Sequence, residues 1–128
     1  MPQEDVEVVQ ASFEAWKGGL DDYLAMFDPD IDWRAIEGAP DDVGPIIGIE
    51  ALRAYVQDWL DHFDDLRLEV DELIDTGDEV VVVQRVSGTA KGSGVPTELR
   101  YAVVCTIKNG KIVKGREYMT REEALQAV

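Results

Sequence analysis

The chain has 128 residues, 45% of them hydrophobic and 8% aromatic, which fits one globular domain over residues 1–128 and excludes a disordered chain. A net charge of −15 speaks against nucleic acid and anionic membrane surfaces as partners, since both would repel it. No apolar run approaches the roughly 18 residues of a membrane span. The N-terminus Met-Pro-Gln-Glu-Asp does not read as a signal peptide, and the single cysteine, Cys105, excludes an internal disulfide, so a cytoplasmic location is expected.

Val6, Val9, Phe13 and Trp16 recur at helical spacing and predict a helix over 4–17, stopped by Gly18-Gly19. A short second helix follows, with Tyr23, Leu24 and Phe27 as its apolar residues, and Asp28-Pro29-Asp30 ends it. Ile31 to Ile36 predicts a short strand in which Trp33 and Ala35 alternate with Asp32 and Arg34. Residues Glu37 to Ile47 hold two prolines, two glycines and two aspartates and read as a loop, of a length that often forms a lid or mouth. The longest helix opens at Gly48-Ile49-Glu50 and carries the stripe Ile49, Leu52, Val56, Trp59, Leu60 and Phe63.

After Asp64-Asp65 the period changes to two, with Leu66, Leu68 and Val70 alternating against Arg67, Glu69 and Asp71. Strands over 79–90, 97–108 and 111–119 complete an antiparallel meander, its last hairpin turning at Asn109-Gly110. Thr120 and Glu123 form a capping box for a final helix. Helices gathered before a meander predict an α+β fold, with helices packed on one face of a strongly curved antiparallel sheet that leaves an open-ended cavity.

Gly48-Ile-Glu-Ala-Leu52 and Asn109-Gly-Lys-Ile-Val-Lys-Gly-Arg-Glu-Tyr118, within this order of elements, resemble the nuclear transport factor 2-like superfamily and its SnoaL-like polyketide-cyclase and epoxide-hydrolase branch. The resemblance covers nearly the whole chain. It implies a cone-shaped, cystatin-like roll around a pocket, and a homodimer through the outer sheet face, for which Val80, Val82, Val86 and Tyr118 are the candidate residues. Limonene epoxide hydrolases of this branch use two strand carboxylates bridged by an arginine, with a tyrosine and an asparagine holding water. By resemblance Arg85 falls at the arginine and Glu117 replaces the last-strand aspartate. The other carboxylate position falls on Ser87, and the tyrosine and asparagine positions fall near Trp33 and Ala35.

Register decides what Glu117 faces. A two-residue turn sets it beside Ala102, whereas a three-residue loop sets it beside Tyr101 and aligns Leu99, Tyr101, Val103, Cys105 and Ile107 with the core. The apolar face favours the second register, with Arg85 two strands away, about 10 Å, and within reach of Glu117. The expected site is therefore Glu117 as base or anchor, Arg85 orienting it, and Tyr101 donating to an oxyanion. Asp32 is a further candidate base. Trp16, Phe27, Trp33, Trp59, Ser87, Val103 and Met119 are expected around the pocket. The ligand expected is a small, largely apolar molecule with one or two oxygens. No metal or organic cofactor is expected, because His62 is the only histidine and no phosphate-binding glycine loop occurs.

Overall fold

The computed structural model describes residues 2–40 and 42–128; Asp41, one of the two aspartates in the expected loop, and Met1 lie outside them. Helix α1 spans Pro2–Trp16 and α2 Leu20–Leu24, followed by strands β1 (Phe27–Arg34) and β2 (Pro45–Ile47). Helix α3 covers Ile49–His62. Strands β3 (Phe63–Asp75), β4 (Val80–Ala90), β5 (Pro96–Lys108) and β6 (Lys111–Tyr118) precede α4 (Arg121–Gln126). Phe27 and Phe63 thus begin strands where the helical stripes had included them.

The sheet is open, with order β2-β1-β6-β5-β4-β3. Strands β3 to β6 form the expected meander, whereas β1 joins β6 in parallel and pairs with the short β2 on its other side. Register shifts in β3, β1 and β6 mark bulges, which bend strands and sharpen their twist.

One face of the sheet carries Val80, Val82, Val103, Cys105, Ile107 and Ile112, and packs on Val9 of α1 and Leu52 of α3 in a single core. The other face is covered at its centre by α4, where Ala124 meets Val81, Ala102 and Val104. Helices therefore lie on both faces. Thr120 Oγ1 accepts from the Glu123 amide at 3.1 Å, so the capping box starts α4 as its sequence implies. Burial of Val80 and Val82 in the main core removes them from any outer-face dimer; of the four residues expected there, only Tyr118 sits on that side, against α4's cluster.

The last hairpin settles the position of Glu117. Asn109 and Gly110 both take positive φ, 53° and 75°, as a two-residue turn with right-handed twist requires, and Lys108 pairs with Lys111. The three-residue loop is not formed. A bulge follows instead, since Ile107 pairs with Ile112 but Thr106 with Lys114, leaving Val113 as the extra residue. That one residue moves Glu117 opposite Val103 rather than Ala102, and so onto the core face.

Candidate functional site

Glu117 is 7% exposed, one of the few buried polar side chains. Burying a carboxylate needs hydrogen bonds to hold the charge, and Trp33 supplies one, its indole Nε1–H donating to Glu117 Oε2 at 2.8 Å. The parallel pairing of β1 with β6 makes this contact possible by setting Trp33 beside Gly115, two residues before Glu117. Any Cβ at Gly115 would collide with the six-membered ring of Trp33. Glycine here is a seat for the indole. Trp33 is the last of a chain of edge-to-face contacts in which Trp16 meets Tyr23 (5.1 Å), Tyr23 meets Phe27 (4.9 Å) and Phe27 meets Trp33 (5.9 Å). Contacts of this geometry fix ring orientation as well as adding stability.

The second polar pair lies across β4 and β5. Gln84 and Tyr101 are direct cross-strand partners, and Gln84 Nε2 donates to the Tyr101 hydroxyl oxygen at 3.0 Å. The phenol's own hydrogen is left to donate elsewhere. Burial, then the charge of Glu117, pushes the Tyr101 hydroxyl well above its ordinary value, so it stays protonated. Tyr23 is held neutral in the same way, by burial first and then by Cys105 and Glu117.

Glu117, Tyr101, Gln84 and Trp33 line an inner cavity of about 60 Å³ together with Tyr23 and with Tyr55 and Trp59 of α3. A wider hollow of about 580 Å³ opens outside it, walled by residues 36–40 of the β1–β2 connection and by Leu99 and Met119. Trp59, Tyr101 and Glu117 belong to both linings and form the boundary between the two spaces. The connecting loop is held in shape. Arg34 forks onto Asp42, with Nη2 to Oδ2 at 3.1 Å, while the amides of Gly38 (2.9 Å) and Gly44 (3.0 Å) donate to the same carboxylate. These bonds, Arg34's first, hold the Asp42 carboxyl far below the usual aspartate range.

The expected Arg85–Glu117 pair does not form. Arg85 pairs with Arg100 in the β4–β5 ladder, so it points to the sheet face away from Tyr101 and Val103. Its guanidinium meets Asp71 at 3.1 Å and Glu69 at 3.7 Å. Ser87 shares that face and lines a surface hollow with Arg67 and Glu98. Asp32 is exposed, so it is not a cavity base. Of the expected pocket residues, Trp16, Trp33 and Trp59 line the inner cavity and Met119 the outer hollow, while Phe27 and Val103 are buried core beneath it.

Sequence reasoning missed Gln84, Tyr23 and Tyr55 as site residues. Gln84 carried a usable signal, as the one polar side chain interrupting the apolar face of Val80, Val82 and Val86. Among the described residues no three His, Cys, Asp or Glu side chains gather as a metal site, and no helix is long and apolar enough to cross a membrane.

Comparison with known proteins places the chain as follows. The sequence profile of the SnoaL-like domain matches residues 9–115. An NTF2-like protein from Burkholderia thailandensis E264 is 27% identical, with a TM-score of 0.76 over 95% of this chain and 97% of its own. A candidate SnoaL-like polyketide cyclase from Jannaschia sp. CCS1 is 23% identical, with a TM-score of 0.75 over 98% of this chain and 90% of its own. TerC, co-crystallised with polyporic acid, is 20% identical with a TM-score of 0.77, and 96% of each chain is covered. A search of curated proteins gave no significant match.

Proposed function

As the chain belongs to the SnoaL-like domain family, we propose that it is a small-molecule pocket protein that moves a proton within a small, largely apolar, oxygenated substrate. The observation that carries this reading is the pairing, on one cavity wall, of one buried carboxylate with one phenol held neutral. Glu117 takes a proton from a carbon beside a carbonyl. The electron pair moves onto the carbonyl oxygen, and Tyr101, already accepting from Gln84, donates its hydrogen bond to that oxygen. Returning the proton to another carbon completes an isomerisation; attack of the enolate carbon on a second carbonyl of the same molecule closes a ring, and the proton held by Glu117 passes to the new alkoxide oxygen. The candidate SnoaL-like polyketide cyclase and TerC, co-crystallised with polyporic acid, share the fold and support a small-molecule pocket.

Water addition by two carboxylates is supported less, because Arg85 and Ser87, which would complete that pattern, sit on the outer face. The Trp33 bond to Glu117 also fits a second reading, in which the carboxylate anchors a ligand without turnover. Exchange of α-hydrogens of cyclic and aromatic ketones in heavy water, followed by NMR, separates the two. Glu117→Gln is expected to slow catalysed exchange by about a hundredfold or more, and Tyr101→Phe by less. Exchange that survives Glu117→Gln unchanged would refute the role of Glu117 as base; ketone binding without exchange would favour the anchor.

A further inference from the structure

The inner cavity is too small for the molecule the site is built to hold. Its 60 Å³ falls well short of the roughly 300 Å³ at which small-molecule pockets usually begin. Immediately outside lies the 580 Å³ hollow, and the two share the side chains on which any chemistry would depend, Tyr101 and Glu117. The hollow's walls are apolar where they need not be. Met119 is 65% exposed and Leu99 40% exposed, and both face it opposite Ile36, Ala39 and Pro40. Among the described residues of its rim, the Glu37 carboxylate is engaged by Arg116 at 3.3 Å and Arg34 at 3.6 Å. The loop that makes one wall is fixed by the Arg34–Asp42 clasp, so the hollow is a shaped surface.

We propose that the ligand is bipartite, with a compact oxygenated head at Glu117 and Tyr101 and an uncharged apolar body lying in the outer hollow against residues 36–40, Leu99 and Met119. The head carries no negative charge, because Glu117 lines the space that it enters. The 36–40 wall sets the length and width of body accepted, and Asp42 positions that wall. This inference rests on the small-molecule reading of the inner site and adds the class of molecule.

A homologous series of methyl ketones tests it: acetone, methyl pentyl ketone and methyl nonyl ketone, with decanoate as the anionic control. Binding is read from the indole N–H resonances of Trp33 and Trp59. Each methylene that enters the hollow should tighten binding about threefold, giving a rise of about a hundredfold from acetone to methyl pentyl ketone, and decanoate should not bind. Ala39→Asp and Leu99→Asp should flatten that rise, and thermal unfolding with near-ultraviolet circular dichroism checks that each variant is folded. Asp42→Asn should flatten it partly. Equal affinity along the series would overturn the bipartite ligand while leaving the inner site standing. A rise that persists in both Asp variants would overturn the hollow as its cause. No binding of any ketone would overturn the inner site and this inference together, and tight binding of decanoate would overturn the exclusion of anions.

Discussion

The two faces of the sheet use polar residues in opposite ways. On the inner face they are few, and the indole of Trp33 and the amide of Gln84 bond Glu117 and Tyr101 among apolar neighbours. On the outer face Arg85, Asp71, Glu69 and Arg100 form a ladder of ion pairs that is partly wet, with Arg100 Nε at 3.0 Å from Asp71. Inside, low dielectric makes each bond strong and each lost partner costly. Outside, solvent screening leaves a similar count of contacts worth little. Chemistry-bearing residue types occur on both faces, so type alone does not mark the site; desolvation does.

The largest effect expected is at Gly115. Gly115→Ala should destabilise the fold by about 3 kcal/mol, the upper end for overpacking, because its methyl group would overlap the Trp33 ring. Chemical denaturation measures the loss, and the emission of Trp33 should move as the ring is displaced. Trp33→Phe should cost about 2 kcal/mol through the lost bond to a charged acceptor, as read by chemical denaturation. A stability unmoved by Trp33→Phe would show that the inner face does not depend on this bond.

Smaller is the alkaline response of Cys105. Burial first, then the charges of Glu79 and Glu117, pushes its thiol up to about 12 from an ordinary 9.0. The raised value means that its contribution to stability is complete below pH 9 and is lost as pH rises from 9 toward 12. One unit above the ordinary value the linked loss is about 1.4 kcal/mol, visible as a falling unfolding midpoint, and thiol reagents should leave the native protein unmodified. Asp42 runs the other way. Its lowered value means that the clasp is fully present above an ordinary value of 3.8 and fails only as pH falls well below it. The Gly38 and Gly44 amide resonances should hold their positions through pH 4, whereas Asp42→Asn should shift them at every pH. Arg85→Gln should be the mildest, below about 1 kcal/mol and without effect on Glu117-dependent exchange. A large loss of exchange in Arg85→Gln would erase the contrast between the faces.

Much of this was legible because it is local. The Asn109-Gly110 turn, the Thr120 cap and the alternation that sends Arg85 with Val81 and Val83 all follow from neighbours in sequence. The partner of Glu117 did not. Trp33 lies 84 positions away, and the contact depends on the parallel joining of β1 to β6, which no hairpin signal announces. The Arg85 expectation failed on parity: its own cross-strand partner Arg100 faces the other way from Tyr101. The bulge at Val113 was equally hidden, since Ile-Val-Lys-Gly offers no residue that demands one.

That bulge also fixes the sign of the pocket. In an unbroken ladder from the same turn, counting along the strand sets Arg116 opposite Val103 and sends Glu117 to Ala102's side. A slip of one residue would therefore exchange an anion for a cation, burying a guanidinium beside the indole N–H of Trp33, two donors with no acceptor between them. The wrong register is penalised by its own charge. It follows that shortening β6 by deleting Val113 itself should keep Glu117 in place, since every later pairing is preserved. One residue inserted between Lys114 and Arg116 would instead set Arg116 opposite Val103 and exchange the pocket's anion for a cation, which makes this hairpin a place where small length changes can redirect the fold's chemistry.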